Sequence, residues 1–343
     1  MTLKRVAKLA GVSHTTVSLV INNAEGSRVS RRTRERVLKA INKLNYKPNL
    51  TAKRLASGKT NSIGLFIPFE MPIFRNYTII EMVAGIQDVL TEKGFDLVLF
   101  SGGRKLYRDR PLNQIMRQNT VDGLIIFNTR YTTPHFVKGY TKILDDFKFN
   151  FVILHYYWGK SNVNYVGVDY ENDAYKAISY LVTLGHKNIA LIAGPSKAAV
   201  TSKIIGGCKR ALEDHKISVE NYIIAYADYD YQIAYERTRE IIKKNSSITS
   251  FFVGGYEMAP ACLKAVKDSG LQIPRDISII CYVDNEIMPL LDPPLTAIRL
   301  PYYDMGKKAA EVIMENNEER KRFIFETKLV VRGSTSTVGH SER

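Results

Sequence analysis

A chain of 343 residues, 45% apolar and 24% charged, is longer than one average domain and has ordinary globular composition, so two or three packed units are expected. Its three cysteines, Cys208, Cys262 and Cys281, lie far apart, without CxxC spacing or a histidine-rich neighbour; this argues against a disulfide framework or a zinc site and reads as buried thiols in a reducing compartment. No apolar run approaches the roughly 18 residues of a membrane span, and the N-terminus lacks a secretory apolar segment, so a cytosolic protein with no membrane partner is expected.

The net charge of +15 is unevenly spread. Residues 1–60 hold 14 Lys or Arg against two acids, Glu25 and Glu35, whereas the rest of the chain holds 35 against 32. A compact cationic segment is the footprint of phosphate binding, because each Lys or Arg that neutralises a phosphate releases condensed counterions. Here the basic residues alternate with apolar ones instead of forming a low-complexity run, which argues against a disordered tail.

Thr2 is a suitable N-cap for a first helix in which Leu3, Val6, Ala7 and Ala10 recur at helical spacing, and Gly11 suits its left-handed C-terminal position. Ser13 then caps a second helix running to about Asn22. Val17, Val20 and Ile21 face inward in it, while His14, Thr15, Ser18, Leu19 and Asn22 share the opposite face. Ser30 caps a third helix, 31–44, with Val37, Leu38, Ile41 and Leu44 as the inner stripe and a mostly basic outer surface. Two helices joined by a tight glycine turn fit helix-turn-helix geometry, in which the second helix enters the major groove; the bland counterpart is an ordinary helical hairpin.

After Pro48, Asn49 to Ser57 is short, polar and basic, with Leu55 as its conspicuous apolar residue and Gly58 after it. A helix that short is marginal in water and is expected to order only where a partner and DNA meet it. From residue 62 the runs SIGLFIP, FDLVLFS, DGLIIFN, FVILHY, YVGVD, NIALIAG, IIAYADY, SFFVGG and ISIICYV alternate with helical stretches, which indicates βαβ units and parallel sheets. Ile79, Ile80, Val83, Ile86 and Leu90 line one helix face. No GxSxG elbow, GxxxxGK[ST] loop, HExxH or DxDxDG loop is present, so neither an enzyme nor a bound cofactor is expected. His186, in LGHKNIA, reads as a structural cap.

The segments VAKLAGVSHTTVSLVINN, VSRRTRERVLKAINKLNYKPN and LTAKRLASGKTNSIGLFIP closely resemble the headpiece, hinge and first strand of the lactose-repressor (LacI/GalR) family. DYENDAYKAISYLVTLGHKNIALIAGP, LDPPLTAIRLPYYDMGKKAAEVI and KLVVRGST resemble its body motifs in the same order, so the resemblance covers nearly the whole chain. It implies an all-α helix-turn-helix headpiece plus an α/β periplasmic-binding-protein-like body of two Rossmann-like lobes. The expected parts are a headpiece at 1–46, a hinge at 47–60, an N-terminal dimerising lobe at 61–162 with 292–326, and a C-terminal lobe at 163–291 with 327–343. The implied activity is that of a transcriptional regulator, a repressor in the first instance, binding a palindromic double-stranded DNA operator as a homodimer; pairing into tetramers is left open.

By the same resemblance His14, Thr15 and Leu19 stand where the family reads bases, and Ser13, Thr16, Asn22, Ser30 and Tyr46 where it contacts the backbone; Thr2, Ser18 and Asn49 complete the expected DNA contacts. Leu55 stands where the family wedges a leucine into the minor groove, flanked by Lys53 and Arg54 for phosphates; the alternative is a flexible linker whose Leu55 packs on the body. Leu19 departs from the arginine many members carry, so the preferred operator is expected to differ. The connection AEGSRV is about two residues longer than the family's usual loop. In the body, Ile204, Gly255 with Tyr256, and Val283 replace the arginine, polar pair and aspartate that commonly hold the effector. The strand ends are instead aromatic, and Phe69, His155, Tyr156, Trp158, Ile204, Tyr256 and Val283 are the expected lining of a cleft for a small effector, with Tyr157 nearby. A cleft that binds nothing, in an effector-independent regulator controlled by a protein partner or by abundance, is the alternative.

Overall fold

The computed structural model describes residues 2–21, 29–46, 59–67, 74, 76–101, 112–118, 120–129, 134–156, 162–315 and 319–339. These belong to two compact units, Met1–Thr60 and Asn61–Arg343.

In the first unit α1 (Leu3–Ala10), α2 (His14–Ile21) and α3 (Arg31–Lys43) enclose one small core of Val6, Ala7, Ala10, Val17, Val20, Val37, Ala40 and Tyr46. Gly11 ends α1 at φ 61°, the left-handed conformation a side chain disfavours, and its N–H donates to the Ala7 and Lys8 carbonyls. Leu38, expected in the inner stripe of α3, is instead 47% exposed. At 100° per residue the buried stripe is centred on Val37, Ala40, Ile41 and Leu44, and a core only three short helices wide does not reach its flank.

In the second unit the central strands β1 (Ser62–Ile67) and β3 (Gly123–Asn128) are buried along their whole length, as expected of unbroken apolar runs in a sheet covered on both faces. With β2 (Asp96–Ser101), β4 (Phe151–His155), β5 (Tyr165–Val168) and β11 (Arg322–Phe325) they form an all-parallel sheet of order β11-β5-β4-β3-β1-β2. A second sheet of order β12-β10-β9-β8-β6-β7 comprises β6 (Ile189–Ala193), β7 (Tyr222–Tyr226), β8 (Ser250–Val253), β9 (Ser278–Tyr282), β10 (Thr296–Arg299) and β12 (Lys328–Val330); only the β10–β12 pair is antiparallel. The covering helices are α4 (Tyr77–Glu92), α5 (Leu112–Arg117), α6 (Pro134–Asp146) and α11 (Tyr302–Glu315) for the first lobe, and α7 (Tyr170–Thr183), α8 (Ala199–Asp214), α9 (Tyr231–Lys244) and α10 (Ala259–Asp268) for the second.

The chain therefore passes between lobes after Val168, after Arg299 and between Phe325 and Lys328. The first two passages lie later than the boundaries expected at 162 and 292. An apolar run followed by a helix does not reveal which sheet it joins: β5 extends the first sheet by pairing with β4, and β10 extends the second by pairing with β9. One continuous apolar cluster runs through both lobes, joined by Tyr170, Tyr282, Val283, Leu300 and Tyr302.

Asp173, buried in the first turn of α7, lies among these passages: the Tyr282 hydroxyl donates to it at 3.0 Å, and the Thr327 hydroxyl donates to its other oxygen. Desolvation pushes its carboxyl from 3.8 up to about 6, against those two hydrogen bonds. The folded carboxyl thus holds its proton more tightly than the unfolded one, so its contribution to stability is fully present below about pH 4, is lost as pH rises through about 6, and amounts to roughly 3 kcal/mol. Asp173→Asn will be more stable than wild type at pH 7.5, and the difference will vanish near pH 4; chemical denaturation across that range measures it, and a parallel pair of curves would refute the burial argument.

His186 has its expected structural role. Nε2 faces the Ser336 carbonyl at 3.1 Å and Nδ1 the Thr249 hydroxyl at 3.0 Å, and burial lowers its pKa. The three thiols are buried and unpaired with one another; burial raises all of them, Cys208 and Cys262 to about 12, so none is a ready nucleophile.

Candidate nucleic-acid interface and interlobe cleft

The turn between α1 and α2 is held from the third helix. The Arg36 guanidinium donates to the Ala10 carbonyl through Nε at 3.1 Å and again through Nη2, and to the Gly11 carbonyl at 3.0 Å. These are the carbonyls left over where α1 stops, and a cation there is also favoured by the helix dipole. Ser13 caps α2, accepting from the Thr16 N–H at 3.1 Å, with its hydroxyl 2.9 Å from that of Thr16. Ser30 does the same for α3 through Thr33. Thr2 occupies the N-cap position of α1, but its side chain makes no capping bond.

With Val17 and Val20 turned into the core, His14, Thr15 and Leu19 are exposed and Ser18 and Thr16 half-buried, so the start of α2 offers hydroxyl, imidazole and apolar groups on one side and no charge. The other two helices of the unit expose Lys4, Arg5 and Lys8 of α1 and Arg31, Arg32, Lys39 and Lys43 of α3. The ion pair Arg31–Glu35 at 3.3 Å is solvent-exposed and adds little to stability. Tyr46 is only 9% exposed, and its ring belongs to the core. Asn22, Asn49, Lys53, Arg54 and Leu55 lie outside the described residues.

The second site is the cleft between the lobes, where strands of both sheets end. Of the residues expected to line it, His155, Tyr156, Ile204, Tyr256 and Val283 are brought together; Phe69, Tyr157 and Trp158 lie outside the described residues. His155, the last residue of β4, and Val283, directly after β9, both have left-handed backbones, φ 86° and 84°. That conformation is strained for a β-branched valine and turns both residues toward the cleft. His155 stacks on Phe127 with centroids 5.0 Å apart and lies 4.0 Å from the ring of Tyr156.

Residues that pattern reading missed complete the walls. Tyr302, at the start of α11, brings a ring from the first lobe; behind it Tyr77, at the start of α4, meets the rings of Tyr256 and Tyr302 edge-on, and its N–H donates to the Tyr256 hydroxyl at 3.3 Å. Tyr282 and Glu257 are sequence neighbours of expected residues, so a wider window at each strand end would have found them. Tyr229, the last residue of the run IIAYADY, carries the same strand-end signal; its ring packs on the bare backbones of Gly194 and Gly255, where a Cβ would come within 2.3 and 2.7 Å of it. Unfilled volume in the cleft is about 50 Å³. Behind it Asp284 is buried and paired with Arg299 at 2.7 Å and Arg332 at 2.9 Å. Among the described residues no group of His, Cys, Asp and Glu could hold a metal ion.

A cationic helix-turn-helix unit attached to a two-lobed, doubly wound body defines a DNA-binding transcription regulator. The chain matches the family model for bacterial regulatory proteins of the lacI family over residues 2–49 and the periplasmic binding protein-like domain over residues 178–335. It is 31% identical over 314 residues to catabolite control protein A of Priestia megaterium, covering 91% of both chains. The fold is similar to that of the lac repressor dimer bound to operator and the anti-inducer ONPF, with a TM-score of 0.84 at 25% identity over 98% of this chain and 99% of that one. It is also similar to the transcriptional regulator CelR in complex with cellobiose, with a TM-score of 0.71 at 28% identity over 97% and 99%. The chain belongs to the lacI family.

Proposed function

We propose that this regulator is a repressor that binds a two-fold symmetric operator as a homodimer, each headpiece reading one half-site with the exposed face of α2. The observation that carries this reading is the hydrogen-bonding and apolar face of His14, Thr15, Ser18 and Leu19 left outside the core of a small unit whose other two helices expose Lys and Arg. The cations supply affinity without sequence, and the α2 face supplies discrimination. Ser13, Thr16, Ser30, Thr2 and Tyr46 are assigned to the sugar-phosphate backbone, joined by Asn22, Asn49 and Lys53, with Leu55 as the minor-groove wedge. The similar lac repressor is bound to operator as a dimer, which supports the assembly. A regulator that works on DNA works in the cytosol, and the regulatory relatives support a role that is not enzymatic.

For dimerisation, the α4 face of Ile79, Ile80, Val83, Ile86 and Leu90 divides. Ile79, Ile86 and Leu90 are used up inside the lobe, while Ile80 is 44% exposed and Val83 half-buried. Together with Ala84 and Gln87 and with Leu97 and Leu99 of β2 they line an open apolar groove, the surface we assign to the partner copy.

Selection of bound sequences from a random duplex pool tests the reading. A palindromic site bound with a steep salt dependence is expected, and equal affinity for scrambled duplexes refutes it. Leu19 offers a base only apolar contact, so Leu19→Arg will shift the selected half-site toward guanine at one position, by roughly 1–3 kcal/mol of discrimination; an unchanged consensus would remove Leu19 from the base-reading set.

The cleft is the proposed effector site, with His155, Tyr156, Ile204, Tyr256 and Val283 as its walls, completed by Phe69 and Trp158. The similar regulator CelR is in complex with cellobiose, which supports a small-molecule ligand for a protein of this fold. A second reading, regulation without any effector, draws on the small unfilled volume and on the Tyr77–Tyr256 hydrogen bond that already joins the lobes.

A further inference from the structure

Each sheet of the body ends in two edges, and the edge of a sheet presents N–H and C=O groups that accept another strand unless charge, proline or a covering element prevents it. Three of the edges are guarded or already assigned. β11 carries Arg322 after Arg320 and Lys321, β12 begins at the exposed Lys328, and β2 borders the groove assigned above to the dimer partner. β7 differs: its sequence, YIIAY, has neither charge nor proline, Ile223, Ile224 and Ala225 are only half-buried, and Tyr226 is 42% exposed. Beside it lies an open groove of about 360 Å³, lined by Ile223 and Ala225 and by Arg237, Glu240, Ile241 and Lys244 of α9. The side chains of one further strand would fill it.

The backbone of β7 fixes how such a strand would pair. The Ala227 N–H donates to the Ala193 carbonyl of β6 at 2.8 Å, and alternate residues of a strand bond to the same side. Ile223 and Ala225 therefore bond toward β6, while the N–H and C=O groups of Ile224 and Tyr226 and the C=O of Tyr222 point to the open side. The Tyr222 N–H is spent locally on the Val219 carbonyl. Two copies related by a two-fold axis present this edge antiparallel. With the axis at Ile224, the Ile224 N–H of each copy donates to the Ile224 carbonyl of the other, and the Tyr226 N–H to the Tyr222 carbonyl, so every outward N–H of the strand finds an acceptor.

The residue pattern is close to symmetric about the same point. Tyrosine stands at both ends, so Tyr226 of one copy meets Tyr222 of the other and Ile224 meets itself; on the α9 face Ile223 meets the small Ala225. Charge does not oppose this. Glu240 lies between Arg237 and Lys244 at 2.9 and 2.7 Å, so the rim of the groove holds compensated charge and not a block of one sign that would repel an identical copy.

We propose that β7 is a pairing edge for a second copy of this chain, joining two body sheets antiparallel about Ile224. β2 and β7 are edges of different sheets, so a dimer formed through α4 and β2 leaves β7 open, and β7 pairing then joins dimers into tetramers. The tetramer, though not the β7 pair itself, rests on the dimer reading given above.

The test is sedimentation velocity on the full-length protein from low to high micromolar concentration, with two variants. Ile224→Lys sets like charges face to face on the axis, and Tyr226→Pro removes an outward N–H and none of the ladder to β6. Wild type is expected to pass reversibly from dimer to tetramer, and each variant to weaken that step ten-fold or more while keeping the wild-type Tm and affinity for a single operator. Should the lysine variant lose stability, Tyr226→Pro decides. Variants that associate as wild type does, or a wild type that stays dimeric together with both variants, overturn the proposal and leave the edge to an extended segment of another protein. A dimeric wild type whose β7 variants are monomeric upholds the β7 pair and overturns the α4 dimer instead.

Discussion

A single methyl group added at Gly306 will destabilise the body by about 3 kcal/mol or more, as overpacking against a rigid neighbour does. The Cβ of an alanine there would lie 2.1 Å from the Met82 carbonyl oxygen of α4, and that of an alanine at Gly85 would lie 2.0 Å from the Tyr303 carbonyl oxygen of α11. The two helices cross backbone to backbone through these glycines, and neither main chain can yield without moving a helix that covers the first sheet. The same holds where α8 crosses α7: a Cβ on Gly207 would meet the Glu171 carbonyl oxygen at 1.9 Å. Its neighbour Gly206 provides the control, since a Cβ there meets nothing closer than 3.8 Å. Gly206→Ala will be neutral or will gain up to about 1 kcal/mol from helix propensity. Urea unfolding of the four alanine variants measures this; Gly306→Ala and Gly206→Ala with equal midpoints would show that the crossing is looser than described.

In the headpiece, Gly11→Val will abolish sequence-specific DNA binding, lowering affinity at least 100-fold, while the body retains its own cooperative unfolding. A valine forced to φ 61° costs about 1–2 kcal/mol or more, and its Cβ would come within 3.0 Å of Arg36 Nη2, the group that holds the turn. The unit has little to spare, because apart from Tyr46 its fully buried residues are all valine or alanine, with larger side chains such as Ile41 and Leu44 only partly covered, and so small a core confers a few kcal/mol at most. Gly11→Asn, which tolerates the left-handed conformation, will retain most of the binding. Electrophoretic mobility shift on the selected operator, with circular dichroism to follow the helices, distinguishes lost folding from lost contact. Full binding by Gly11→Val would mean that the turn does not govern the placement of α2.

Much of the fold was legible because its signals are local. The stripes of α1 and α2, the capping by Ser13 and Ser30 and the left-handed Gly11 each depend on residues within four positions of one another. The buried runs of β1 and β3 announce parallel strands by composition. Leu38 shows the limit of that reading, since helical spacing gives direction but not the depth of the core it points toward. In the cleft, the strand-end rule located His155, Tyr156, Tyr256 and Val283; it reaches Tyr229 as well, the last residue of the run IIAYADY, once followed three residues past β7, and it misses Tyr302, which opens a helix. Only the packing of Tyr229 against Gly194 and Gly255, 35 and 26 residues distant, brings it to the site.

The amino-acid order by itself determined that a cationic three-helix unit precedes a doubly wound α/β body, because charge segregation, helical period and apolar runs are properties of neighbouring residues. Tertiary structure alone decided that β5 and β10 join sheets other than those they first suggest, that α4 and α11 touch at bare glycines, and that one acid and a set of tyrosines share a cavity. Those outcomes depend on pairings across long stretches of chain, whose energies are realised only once both partners are in place and which therefore leave no periodic trace in either segment.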